Sequence, residues 1–148
     1  MEEKDLKLKF ELVPDGCWYT NLRTILSKAQ WDYVKQDAKE RAQGKCSICG
    51  RKTNRLEAHE KWSYDENNGV QKLEDVISIC HDCHSVIHFG RTQLKGNEER
   101  AENHFMKVNG CTYSEFRKFL GLANERHILL NKVPEWKIDI SWLKRFTK

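Results

Sequence analysis

Four of the six cysteines stand in two C-x-x-C pairs, Cys46/Cys49 and Cys80/Cys83. A C-x-x-C turn sets two thiolates near two corners of a tetrahedron, and a second such turn closes a zinc site. Each pair has suitable company. Gly50 follows the first and allows a tight turn, and the β-branched run Val76-Ile77-Ser78-Ile79 precedes the second. Thirty residues, 50 to 79, separate the pairs. That exceeds the roughly 15–20 of a compact zinc ribbon, so a unit is inserted between the knuckles. Two disulfides are the weaker reading, because the N-terminus, MEEKDLKLKF, has no apolar signal region. Cys17 and Cys111 are left over and read as reduced thiols, buried or partly buried.

The histidines form the second group. Four of six fall within residues 59–88, beside the cysteines. Leu56 to Glu60 reads as a short strand, Asn67-Asn68-Gly69 as a turn, and Val76 to Ile79 as a second strand. His84 and His88 are four residues apart, so a helix puts them on one face, with Gly90 at its end. The segment therefore reads strand, loop, strand, helix, with His59 near the end of the first strand. Three imidazoles can then converge on a second divalent ion, distinct from the cysteine site. The alternative is three surface histidines, or one of them paired with the zinc. His81 reads as exposed and non-ligating. His104 and His127 fall on later helices, at ordinary surface or core positions.

The pattern CSIC, then LEAHE, then EDVISICHDCHSVIH resembles the HNH endonucleases stapled by two C-x-x-C knuckles. The match covers residues 46–90. The resemblance implies an α+β fold: a small zinc-stapled ββα-metal (HNH, treble-clef-like) core with flanking helices and short terminal strands. It implies structural zinc on Cys46, Cys49, Cys80 and Cys83, and a catalytic divalent ion (Mg, Mn, Ni or Zn) on His59, His84 and His88. Its chemistry is hydrolysis of a nucleic-acid phosphodiester, DNA ahead of RNA, with a general base at the end of the first strand. Asp75 falls at the middle position of the motif, often Asn. The residue after the first-strand ligand is commonly the catalytic His, and here it is Glu60. Two registers follow. In the favoured one His59 is a ligand and Glu60 the base. In the other His59 is the base, Ala58 takes the ligand position, and His84 and His88 hold the ion, with Asp75 or Glu57. A third outcome is the fold retained without activity, a zinc module that binds nucleic acid or a protein partner.

The elements that must position these groups are legible in outline. Leu6, Leu8, Phe10 and Leu12 alternate with Lys7, Lys9 and Glu11, which predicts a half-buried strand over residues 5–13. Residues 17–26 read as extended chain or short helix. Ser27 and Gln30 form a capping box opening a helix that Gly44 terminates. Residues 97–109 read as a helix between Asn97 and Gly110, and Thr112 with Glu115 opens a longer one that ends before Pro134. Trp136, Ile138, Ile140 and Trp142 alternate with polar residues, which suggests a strand, or a strand entering a short helix at Ser141, and pairing with 5–13. The organisation is then 1–44, an N-terminal strand and helix; 45–91, the metal module; and 92–148, a helical extension with a terminal strand.

Composition restricts the classes further. The chain has 148 residues, 39% hydrophobic and 32% charged, with five Trp, six Phe and four Tyr to fill a modest core. No apolar run approaches a membrane span, mean hydropathy is −0.79, and a cytoplasmic, intracellular setting is expected. Net charge is +4, which permits nucleic-acid binding without arguing for it. Arg91, Lys95 and Arg100 follow the metal helix as candidate phosphate contacts, or form a solvated face. Trp62 and Tyr64 can stack on a base, or cover the small core. No separate recognition domain is visible, which leaves room for a homodimer or a recruiting protein partner, and phage, mobile-element and defence roles are all compatible.

Overall fold

The apolar alternation between the knuckles becomes one long hairpin. The computed structural model describes residues 1–147. Strand β1 (Leu56–Asp65) runs antiparallel to β2 (Val70–Cys80), from Leu56 opposite Cys80 to Asp65 opposite Val70. Both strands outrun the short ones read from sequence, because ladder hydrogen bonds form whatever the side chains, and the outer half alternates exposed Lys61, Ser63 and Asp65 with half-buried Trp62 and Tyr64. The Asp65 carboxylate closes the turn by accepting from the Asn67 and Asn68 amides at 3.0 and 3.2 Å. Gly69 has φ +64°, and a Cβ there would stand 2.8 Å from the Glu135 carbonyl oxygen. The turn needs glycine for its conformation and for this close approach.

Helices surround the hairpin. They are α1 (Leu22–Ile25), α2 (Lys28–Ala42), α3 (His81–Ile87), α4 (Phe89–Leu94), α5 (Glu98–Asn109) and α6 (Tyr113–Leu130). Both expected capping boxes are present, at Ser27/Gln30 and Thr112/Glu115. α2 ends on Gln43 in the left-handed region, one residue before Gly44. Gly110 ends α5 as expected, while Asn97 caps it by position without a side-chain hydrogen bond. Gly90 does not end the metal helix. The break falls at His88 (φ −98°, ψ 53°), and Gly90 lies inside α4. The Thr92 hydroxyl donates to the Ser85 carbonyl at 2.6 Å, satisfying an acceptor that the break releases.

Two expectations at the termini need correction. Residues 5–13 are not a strand and do not pair with the C-terminal segment. β3 (Lys137–Asp139) instead runs parallel to β2 at Val70–Lys72, giving the sheet order β1-β2-β3, and a 3-10 helix follows over Ser141–Phe146. The N-terminal arm keeps the alternation, with Leu6 and Leu8 buried between exposed lysines. Its polar backbone groups find partners on helices. The buried Asn109 side chain accepts from the Lys7 and Leu8 amides at 2.9 and 3.0 Å and donates to the Leu8 carbonyl at 2.9 Å. The Glu11 amide donates to the Ile87 carbonyl at 3.0 Å. Period-two burial requires an extended chain, but not a neighbouring strand.

Two cores result. One lies among the arm, the knuckles and α3 to α6, where Phe10 stacks on Phe105 at 4.8 Å and meets Phe89 and Phe116 edge-on. The other packs Leu22, Val34 and Ala38 against Leu73 and Val76 of β2. No helix among the described residues is long and apolar enough to cross a membrane. Asn109→Ala leaves three arm backbone groups without their partner, so it should cost about 1–3 kcal/mol or more. Urea unfolding measures this, and an unchanged midpoint would show that the arm does not depend on Asn109.

Candidate metal centres

The first centre is the cysteine cluster. One sulfur from each of Cys46, Cys49, Cys80 and Cys83 lies within 4.8 Å of the others. Cys49 Sγ and Cys80 Sγ are 3.7 Å apart. A tetrahedral ion with zinc–sulfur bonds of about 2.3 Å holds its sulfurs roughly 3.8 Å apart, so the cluster has the size of a zinc site. That distance is far beyond a disulfide bond, and all six cysteines are free thiols. Backbone amides support the sulfurs. Ile48 and Cys49 donate to Cys46 Sγ at 3.4 and 3.5 Å, and the Cys83 amide donates to Cys80 Sγ at 3.5 Å. A hydrogen bond from Cys83 pulls the Cys46 thiol down to about 4, while the same contact and burial push Cys83 up. Four sulfurs this close cannot all ionise unaided, which is the condition that a bound cation relieves.

Neighbours brace this cluster. Asp82 receives Arg100 Nε and Nη2 at 2.8 and 3.2 Å and Arg51 Nη1 at 3.1 Å, tying both knuckles to α5. Arg100 stays exposed at the surface while it pairs with Asp82. His104, on α5, places Nε2 3.2 Å from Cys83 Sγ, a contact that its position in the sequence does not suggest.

The second centre is the imidazole cluster. His59 of β1, His84 of α3 and His88 at the α3–α4 break each offer a nitrogen within 4.8 Å of the other two. The ring centroids are 5.5, 5.5 and 4.9 Å apart. His59 is 3% exposed, while His84 and His88 are half-buried. Burial keeps both helix histidines below the ordinary imidazole range, His88 at about 3, so their lone pairs are available at neutral pH. His84 Nδ1–H donates to Glu57 Oε1 at 2.7 Å, and His81 Nδ1–H donates to Glu57 Oε2 at 3.1 Å. Burial works against the Glu57 carboxylate, but these two histidines together hold it below its usual range. His81 is itself exposed.

Glu60 neighbours His59 on β1 but reaches another element. Its Oε1 accepts from the Leu22 amide at 2.8 Å and the Trp62 indole at 3.1 Å, docking α1 against the hairpin. Burial raises its pKa above the usual carboxylate value, and these two donors only partly offset the effect. A cavity of about 180 Å3 joins Glu60 to the imidazoles, with Trp18, Arg23 and Arg91 on its walls. Arg91 also borders a second hollow with His84, His88 and Lys95. Trp62 and Tyr64 line the first cavity and are half-buried there.

The structure thus gathers His59, His84, His88, Glu60 and Arg91 around one space. It does not bring Asp75 there: that carboxylate accepts from the Val76 amide at 2.8 Å and pairs with Arg41 at 3.6 Å. Ala58 lines the cavity but carries no ligand atom. Sequence reasoning missed Glu11, whose Oε2 lies 2.5 Å from His59 Nε2. It reads as an outward polar residue of a strand, and its separation of 48 residues leaves no local signal. Comparison of the chain with protein-family models, with curated proteins and with solved structures finds no match.

Removing one sulfur should unload the first centre. Cys80→Ser is expected to lose one bound zinc per chain by elemental analysis and to lose its cooperative melting transition, because such a site supplies folding free energy. Native circular dichroism and melting in that variant would refute a structural role for the ion.

Proposed function

We propose that this chain is a metal-dependent endonuclease that hydrolyses phosphodiester bonds in DNA. In this reading the hairpin and α3 form a ββα-metal, treble-clef-like unit of the HNH kind, stapled by zinc on Cys46, Cys49, Cys80 and Cys83. The observation that carries it is the imidazole triad, buried on the β1 side and bordering the cavity that holds Glu60 and Arg91. A non-catalytic module needs only the cysteine site and gives three converging imidazoles no work.

His59, His84 and His88 would hold a divalent ion (Mg, Mn, Ni or Zn), which would supply Lewis-acid stabilisation of the scissile phosphate and the leaving oxygen. The remaining work falls to side chains. Glu60 has one oxygen anchored by two donors, and no protein donor among the described residues meets the other. The anchored oxygen orients the carboxylate, and the second takes a proton from an attacking water. Burial makes this carboxylate a stronger base than an exposed one, offsetting part of its handicap relative to histidine. Arg91 offers its guanidinium to phosphate oxygens, with Lys95 nearby.

The test is cleavage of supercoiled plasmid by zinc-loaded protein, after chelation of weakly held metal and readdition of each ion. Metal-dependent nicking by the wild type, abolished in His84→Ala with the melting curve retained, is the expected result. Folded, zinc-loaded protein inert with every ion would instead favour a zinc module that binds nucleic acid or a protein partner.

The pH profile examines the base. The ionised form of Glu60 is the active one, so the rate should rise with pH through a midpoint above the ordinary 4.5 of a glutamate. Glu60→Gln keeps an acceptor for Leu22 and Trp62, so it should fold. It should lose about 10²–10⁴-fold in rate together with that acid limb. A limb that persists in Glu60→Gln would transfer the role of base to His59.

A further inference from the structure

Glu11 belongs to a segment that supplies no strand or helix to the hairpin–helix unit, yet it reaches the most buried imidazole of the triad. His59 Nε2–H donates to Glu11 Oε2 at 2.5 Å. Glu57 makes the corresponding contact with His84, accepting from Nδ1 at 2.7 Å. Two of the three imidazoles therefore each have one ring nitrogen held by a carboxylate. In metal sites this pattern fixes the tautomer and ring angle and raises the basicity of the other nitrogen.

The protein holds Glu11 in place from both sides. Its amide donates to the carbonyl of Ile87, in the last turn of α3 between His84 and His88. Its neighbour Phe10 is stacked on Phe105 in the aromatic core. The carboxylate is not one of the mutually close donor atoms, which belong to the imidazoles. It meets the triad through His59.

We propose that Glu11 is a positioning residue of the metal centre, holding His59 Nε2 so that Nδ1 faces the ion, and that the N-terminal arm is thereby part of that centre. This rests on reading the triad as a divalent-ion site. It extends the site beyond the segment of residues 46–90, and it gives the arm's attachment to α3 and α5 a purpose besides packing.

The experiment titrates Co2+ into zinc-loaded protein, following the ligand-field absorption of the second site and, by calorimetry, its affinity. Wild type, Glu11→Gln, Glu11→Asp and the exposed arm variant Lys9→Gln are compared, with melting curves to verify the fold. Glu11→Gln should bind Co2+ about 10–100-fold more weakly with an unchanged band shape, since a positioning residue alters strength and not the ligand set. Glu11→Asp should recover part of the loss, and Lys9→Gln should match the wild type. Unchanged affinity in a folded Glu11→Gln would overturn the proposal. So would an altered band shape, which would make Glu11 a ligand instead. Failure of the wild type to bind Co2+ beyond the cysteine site would overturn the triad as a metal site, and with it this inference. Loss in Glu11→Gln alone leaves the triad reading standing.

Discussion

Cys80 is the residue on which the geometry turns. It is the last residue of β2, it pairs with Leu56 at the start of β1, and it caps α3 by accepting from the Cys83 amide. Its sulfur also faces the other knuckle, 3.7 Å from Cys49. Four constraints on one residue fix the direction in which α3 leaves the hairpin. His84 lies four residues on and His59 three residues into the opposite strand, so their meeting is decided at this junction. An ion on the cysteines would then be a condition for the imidazole site, although the two clusters share no residue.

The hairpin separates two kinds of chemistry. Strand alternation sends successive side chains to opposite faces. His59 turns toward α3 and the arm, and Glu60 toward α1, where Leu22 and Trp62 bind it. Both border one cavity, which the chain from Glu11 to Arg23 helps to line with Trp18 and Arg23.

Much of this was legible in the sequence, and what was not has physical causes. The cysteine spacing, the capping boxes and the His84/His88 pair are local signals, and short-range geometry enforces each of them. The burial alternation of residues 5–13 was legible too, but its hydrogen-bond partners were not. Asn109 lies about a hundred residues away, and nothing in its neighbourhood marks it as the group that replaces a strand. Glu11 was hidden for the same reason: its partner is set by the route of the arm. Gly90 misled because the helix break uses His88 and a threonine hydroxyl, neither of which is a usual stop signal.

Glu60 shows how the site and the fold pull against each other. A carboxylate whose folded-state pKa is raised favours the folded state only while protonated, and that contribution is lost as pH rises through the raised value. At neutral pH this burial therefore works against stability. The Leu22 amide and Trp62 indole recover part of the cost through one oxygen and leave the other without a protein donor. A group kept only to dock α1 could be a neutral amide with the same acceptor and no desolvated charge. Retaining the charge beside the imidazole cluster and an arginine suits a group that must accept a proton, as the proposed phosphodiester hydrolysis demands.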